Sequence, residues 1–331
     1  MQELYKRAVQ IVKAKFGLVS NKRDLIFNPE FFENRQLIQC LLTDIYQVND
    51  IPFNKDLDAY VYVYDVDDIP LTVAITDREV RVVGNISQLD AQMTDRRYSL
   101  FGNLGLFFRY SLATLERYHD IFSFHASAMY IPDEDELLLL VGGPGAGKTC
   151  LLLEGLNRGY QMFSTEMTHI KFEGDKCLFF KGSLIDNVRI GNFVCDFPTV
   201  PQLLNLELPK VKDIWNTKVT IDLHSKTTSE DILVNPKVTL IFPKIEEGRD
   251  EAIFGDITDK RKLTKLLFDN ATEKIAGTVL LYDTIPIGCL DNPYLMQKRL
   301  RAMEKFVSGE IFKIERAKTV LASPTTCMKE V

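Results

Sequence analysis

The 331-residue sequence lacks most of the features that mark specialised chains. Its six cysteines (Cys40, Cys150, Cys177, Cys195, Cys289, Cys327) include no C-x-x-C pair, which excludes a zinc ribbon and a dithiol redox motif of that type. Cys150 directly follows a glycine-rich loop, where a disulfide would be awkward. Reduced thiols and a cytoplasmic location are therefore expected. No run approaches the roughly 20 apolar residues of a spanning helix, and no low-complexity tract interrupts the chain. Residues 1–16, MQELYKRAVQIVKAKF, lack the uninterrupted apolar core of a secretory leader. Positive charge is not in excess: 40 Lys and Arg stand against 46 Asp and Glu, a net charge of −6. That balance argues against nucleic acid or an acidic membrane surface as the main partner.

What is present supports a buried core, since 46% of residues are hydrophobic and the length allows one large domain or two ordinary ones. In residues 1–16, Leu4, Tyr5, Ala8, Val9, Val12 and Phe16 recur at helical spacing and predict an amphipathic helix. AYVYVYDV (59–66), LTVAITD (71–77) and REVRVVG (78–84) predict a three-stranded antiparallel meander, with Asp67-Asp68 in its first turn. From about residue 91 to 118 the pattern turns helical. These shifts divide the chain into an N-terminal α+β region over 1–90 and a core with a C-terminal helical segment over 91–331.

Within the core, FSFHASAMYI (122–131) reads as a strand, 132–135 as a hairpin turn, and ELLLLVGG (136–143) as a strand buried on both faces because it does not alternate. LLLEGLNRG (151–159) predicts a helix ended by Gly159. Residues 160–172 and 176–182 predict strands, with a hairpin at Gly174-Asp175. KVTIDL (218–223) alternates, and VTLIFP (238–243) reads as a buried strand stopped by its proline. The chain beyond about 259 is mostly helical and charged, while TVLLYD (278–283) fits helix or strand. In MQKRLRAMEKF, Leu300, Met303 and Val307 mark the packed side of a helix.

Residues 142–149, GGPGAGKT, match G-x-x-x-x-G-K-[ST] completely. Gly142, Gly143, Gly145 and Gly147, with Pro144 and Ala146 completing the loop, let backbone N–H groups turn inward as an anion cradle. The following helix aims its positive end at the phosphates. Lys148 is expected to reach the outer phosphate oxygens and the Thr149 hydroxyl to take a place on Mg²⁺. Transfer of a phosphoryl group also needs a carboxylate for the metal and one to orient or deprotonate the acceptor. Asp283, ending VLLYD, has the outline of a Walker-B acid; Glu166 is its competitor.

FHASAMY, the hairpin turn, the strand bearing GGPGAGKT, and LLLEGLNRGYQMFSTE together resemble the nucleotide core of the HPr kinase family, related in fold to phosphoenolpyruvate carboxykinase. The family's strand histidine matches His125, its loop 142–149, and its Arg-Gly helix end Arg158-Gly159. Its acidic pair falls on Thr165-Glu166, so the first acid is absent. The likeness is specific over about 122–172 and extends through VTLIFPKIEEG to 248; the long signature of the bifunctional HPr kinase/phosphorylases has no counterpart.

The resemblance implies an α/β fold, with a phosphoenolpyruvate carboxykinase-like P-loop core of mixed sheet and flanking helices behind the small α+β N-terminal region. It implies an ATP- and Mg-dependent kinase that phosphorylates a hydroxyl group of a peptide, protein or small-molecule acceptor other than HPr. Thr149 and Glu166 would hold Mg²⁺, Lys148 would draw charge from the γ-phosphate, and Glu166 would take the acceptor proton. His125 would act near the γ-phosphate or acceptor, and homo-oligomers are common among such kinases. Two readings compete: an ATP-binding regulatory protein with weak or no transfer because Thr165 replaces an acid, and a P-loop NTPase using Asp283. On the residues alone, His125 reads as a hydrogen-bonded core histidine and Glu166 as an exposed carboxylate at a strand end. His169 is expected on the strand face opposite Glu166. Lys218, Thr220 and Asp222 share one face, which reads as solvated or as an acceptor-site wall.

Overall fold

In the computed structural model, which describes residues 3–27 and 48–327, the N-terminal stretch is a β-hairpin and not the helix its spacing predicts. Strands β1 (Tyr5–Ile11) and β2 (Ala14–Ser20) pair antiparallel through a two-residue turn in which Val12 has φ 55°. Leu4 and Tyr5, which the helical stripe would bury, are exposed, whereas Ile11 is fully buried. The β-branched Val9, Ile11 and Val19 suit a pleated surface, and β1 gains a second partner in β3 (Val48–Ile51). Cross-strand packing outweighs a local period here.

The stretch read as a meander also differs. Strands β4 (Ala59–Asp65), β5 (Thr72–Ile75) and β6 (Glu79–Gly84) complete a mixed six-stranded sheet of order β3-β1-β2-β4-β6-β5. β5 and β6 form the expected hairpin, but β4 runs parallel to both β2 and β6. β4, with Ala59, Val61 and Val63 buried on one face, thereby has a partner on each side, and the short β5 takes the edge. Helix α1 (Leu106–His119) starts later than the pattern predicts. Gly102 and Gly105 precede it in close backbone contact: a Cβ on Gly105 would lie 1.9 Å from the Ser99 carbonyl oxygen. Phe107 of α1 meets Phe16 of β2 edge to face at 5.1 Å between ring centroids.

From Ile121 the chain runs through β7 (Ile121–Ile131), β8 (Glu136–Val141), helix α2 (Lys148–Asn157), β9 (Gln161–Ser164), β10 (Met167–Glu173), β11 (Lys176–Phe180), β12 (Ile185–Arg189), β13 (Lys218–Asp222), β14 (Ile232–Val234), β15 (Lys237–Ile245) and β16 (Ile253–Asp256), which build a second sheet except for β12 and β13, an antiparallel ribbon of their own. Helix α3 (Lys260–Ala276) follows, then a two-stranded ribbon, β17 (Val279–Leu281) and β18 (Ile285–Ile287), helix α4 (Pro293–Ser308) and β19 (Ile314–Ala322). The sheet order is β14-β11-β10-β7-β8-β15-β19-β16, with β9 also on β7. β8, β15 and β19 are parallel; the rest of the sheet is antiparallel. The architecture is therefore mixed α/β with flanking helices.

ELLLLV is buried on both faces, as its lack of alternation predicts. Leu138 and Leu140 pack against Leu151, Leu152, Leu153 and Leu156 of the α2 segment. Leu137 and Leu139 pack toward Leu263, Leu267, Met303 and Phe306. Each such buried side chain contributes about 1.5–3 kcal/mol of transfer free energy. On α4 the buried side carries Met303, Phe306 and Val307, but Leu300 is exposed and Arg299 is buried in its place, donating to the Thr272 hydroxyl at 3.0 Å. The strand read as stopping at Pro243 continues to Ile245. β8 pairs with β15 only as far as Ile241, so Pro243 has a neighbour on one side alone and its missing N–H breaks no second ladder.

Contacts group the residues up to Asp120 with Lys274–Leu295, and Ile121–Glu273 with those from Met296 onward. This differs from one cut at residue 90, because α1 packs on the N-terminal sheet and a later segment returns to that unit.

Candidate functional site

β7 changes partners along its length, and the change creates the site. Its residues up to His125 pair with β10, and those from Ala126 pair with β8. His125 is thus the last residue before the seam, and its carbonyl oxygen accepts from the Gly142 N–H, at the start of the glycine loop, at 3.3 Å. On the other edge of β7, the segment 160–172 read as one strand is split into β9 and β10 at Thr165-Glu166. That break lifts Glu166 out of the pairing beside His125.

Buried hydroxyls shape the break. Ser127 donates to the Thr165 carbonyl oxygen, and Ser164 and Thr168 oxygens lie 2.5 Å apart. The Thr165 hydroxyl lies 2.7 Å from the Ile185 carbonyl oxygen and 3.1 Å from that of Ser183, and its N–H donates to Ser183 at 2.9 Å. Thr165 therefore ties the turn to β12, and β12 carries Asp186.

The loop 142–149 joins β8 to α2 as the motif predicts. Gly145 and Gly147 have φ of 79° and 98°, which a side chain would strain. A Cβ on Gly147 would lie 2.2 Å from Ile245 Cγ1, and the Ile245 N–H donates to the Ala146 carbonyl oxygen at 3.1 Å. The extension of β15 past Pro243 thus braces the loop. No side chain caps the first turn of α2, which leaves its N–H groups suited to an anion. Lys148 is buried and folds back, Nζ donating to the carbonyl oxygens of Gly142 at 2.7 Å and Gly143 at 3.2 Å, and lying 3.2 Å from His125 Nε2.

Around this loop the structure gathers three carboxylates. Glu166 Oε1 is 2.6 Å from His125 Nε2. Glu273 Oε2, on α3, is 3.1 Å from His125 Nδ1. The Thr149 hydroxyl donates to Asp186 Oδ2 at 3.3 Å, and the Asn187 N–H donates to Asp186 Oδ1 at 2.7 Å. Burial, reinforced by the charge of Glu166, pushes the Asp186 carboxyl up to about 6; the Asn187 and Thr149 hydrogen bonds and the Lys148 charge offset only part of this. His125, Lys148, Thr149 and Glu166 are thus brought together, with Asp186 and Glu273 added. The sequence offered no signal for either addition: Asp186 sits within IDNVR and Glu273 within a charged helix. Only β12's tether to Thr165 and α3's approach to β7 reveal them.

Other candidates fall elsewhere. Asp283 lies in the β17–β18 turn with φ 60°, and its carboxylate accepts from the Thr94 N–H at 3.1 Å and hydroxyl at 3.3 Å. Among the described residues the strand before it, β17, pairs with β18 and not with the sheet that carries the loop. His169 is fully buried opposite Ser123, two residues from His125 along β7, so it shares the His125 face. Its Nδ1 is 2.7 Å from the Ser123 hydroxyl, and burial pulls its ring down to about 4. Asp222 is tied to His224 Nδ1 at 2.5 Å, and the Thr220 hydroxyl donates to Asn187 at 2.9 Å. That pairing is a local strand-end network. The Cys150 thiol is pushed up to about 12 by burial, which leaves it a poor nucleophile.

No helix among the described residues is long and apolar enough to cross a membrane. No family model and no curated protein matches the chain.

Proposed function

We propose that this chain is an ATP- and Mg-dependent kinase that phosphorylates a hydroxyl group of a peptide, protein or small-molecule acceptor. The core is read as phosphoenolpyruvate carboxykinase-like and HPr kinase-related. The observation that carries the reading is an unbroken chain of contacts. Asp186 meets Thr149 at the start of α2, Lys148 beside it meets His125, and His125 meets Glu166. A phosphate cradle, oxygen donors for a hard cation and a candidate base lie side by side.

The donor set fits magnesium. Among the described residues no three His, Cys, Asp or Glu side chains form a ready-made cage. Magnesium characteristically takes one or two carboxylates and completes its shell with phosphate and water, which suits Thr149, Asp186 and Glu166. The raised Asp186 carboxyl marks uncompensated negative charge, which a cation would neutralise. Thr149, Asp186 and Glu166 would hold the ion, and it would supply charge neutralisation to the phosphates of a bound nucleotide. Lys148 leaves the loop carbonyls for phosphate oxygens, and Glu166 accepts the proton of the attacking hydroxyl. On this reading Asp186 takes the place of the acid missing at Thr165. Free thiols at Cys150, Cys177 and Cys327 fit a reducing, cytoplasmic setting.

A second reading is an ATP-binding regulatory protein without efficient transfer, favoured by Thr165, whose hydroxyl serves the fold. The test is label transfer from γ-labelled ATP with Mg²⁺ into hydroxyl acceptors. Glu166→Ala is expected to abolish transfer while ATP binding by calorimetry stays within about threefold, since loss of a general base costs 10² or more, about 3 kcal/mol. Asp283→Ala is expected to change neither. Equal transfer by Glu166→Ala and wild type sinks the kinase mechanism, and tight ATP binding without transfer in wild type selects the regulatory reading.

A further inference from the structure

We infer that a cleft at the far end of β8 and β15 from the glycine loop binds a small zwitterion, a free amino acid with an apolar side chain. No residue of the loop lines this cleft, and its occupancy does not depend on the kinase reading.

A cavity of about 260 Å³ lies over the starts of β8, β15 and β19. The register of these parallel strands sets Leu138, Thr239 and Arg316 in one row, so their side chains share a face. On that face Glu136 lies two residues before Leu138, and Lys318 two residues after Arg316, at opposite corners. β15 stands between the acid and the cations, which puts the backbones of Glu136 and Arg316 about two strand spacings, roughly 10 Å, apart. Among the described residues no hydrogen bond or ion pair joins Arg316 to Glu136 or to Glu134, which also lines the cavity. Opposite charges are thus held on two sides of an open space and not spent on each other.

Thr239, between them, carries the second mark of a ligand. It is 3% exposed, and among the described residues its hydroxyl has no hydrogen-bond partner. A buried hydroxyl left unpaired destabilises a fold, and valine would fill the same space without that cost. A ligand lying between the charges supplies the missing bond. Ile131, Leu138 and Tyr160, whose N–H donates to the Gly155 carbonyl oxygen at 2.9 Å past the end of α2, add apolar walls. Apolar walls with a few placed polar groups define a small-molecule site, and most such sites measure about 300–1,000 Å³. The smaller volume here suits a single amino acid. Its carboxylate meets Arg316 and Lys318, and its ammonium meets Glu134 and Glu136; a pure anion or cation would satisfy one side and oppose the other.

The test titrates L-leucine into the full chain without nucleotide, by calorimetry. Isocaproate, which lacks the ammonium, and leucinamide, which lacks the carboxylate, are titrated beside it. Wild type is expected to bind L-leucine with a millimolar or tighter Kd, and each analogue at least about tenfold more weakly. Arg316→Gln and Glu136→Gln each weaken L-leucine at least about tenfold. Thr239→Val also weakens it, yet melts no lower than wild type without ligand, which separates lost binding from lost folding. Glu315→Gln, on the other face of β19, leaves binding unchanged. No binding of L-leucine at millimolar concentration overturns the inference. So does equal binding of isocaproate, which marks an anion site, or of leucinamide, which marks a cation site. Binding that survives Arg316→Gln intact overturns the location. Absence of phosphotransfer strikes the kinase reading and leaves this one standing.

Discussion

Asp186→Asn makes the metal-free protein more stable than wild type at neutral pH and at the same time removes its response to magnesium with nucleotide. Burial and the Glu166 charge raise the Asp186 carboxyl to about 6, from an ordinary value of 3.8. Between those values the folded chain holds a proton that the unfolded chain gives up. The folded state is therefore favoured at the acid end, loses that advantage as pH rises from about 4 to about 6, and carries the full cost above it. A shift of this size corresponds to on the order of 2–3 kcal/mol. Asparagine keeps the shape and an acceptor for the Thr149 hydroxyl without the charge. Urea unfolding is expected to show the variant ahead at pH 7.5 and level with wild type near pH 4. Adding Mg²⁺ and ATP reverses the ranking, because only wild type gains ligand stabilisation. Equal stability at both pH values would remove the charge argument; a variant still stabilised by magnesium would remove Asp186 from the metal site.

Lys148→Met weakens ATP binding by between about tenfold and several hundredfold, and also lowers stability without ligand. The first effect follows from losing charge-assisted hydrogen bonds to phosphate, each about 1.5–3 kcal/mol. The second follows from the folded-back lysine: without it, the carbonyl oxygens of Gly142 and Gly143 lose a shared donor beside a buried histidine. Calorimetry with ATP and thermal melts without it separate the two. A variant that binds ATP like wild type would mean that the loop does not cradle phosphate.

Local sequence pattern suffices where structure is written into consecutive positions. The turn at 132–135 with Asp135 at φ 48°, the unalternating strand ELLLLV and Gly159 at φ 80° all follow from local backbone chemistry. It fails where partners compete. The apolar residues of 1–16 fit a helix by spacing, yet pairing with β3 and burial of Ile11 favoured a strand. Pro243 reads as a stop, yet a one-sided position in the sheet lets β15 run on to brace the loop.

The same boundary runs through the site. GGPGAGKT is legible as a loop leading into a helix from eight adjacent residues, because glycines at positive φ and a helix start are local features, and so the positions of Lys148 and Thr149 at the head of α2 follow from the sequence, although Ile245 of β15 braces the loop from afar. Asp186 and Glu273 lie 37 and 125 residues beyond Thr149 and Lys148 respectively, on elements whose own patterns say nothing of phosphate. Their approach was decided by the register of β7 against β10, the hydroxyl tether from Thr165 to β12, and the docking of α3 on β7. Burial then raises the Asp186 carboxyl above its ordinary range, and burial is a property of the folded chain and of no stretch within it.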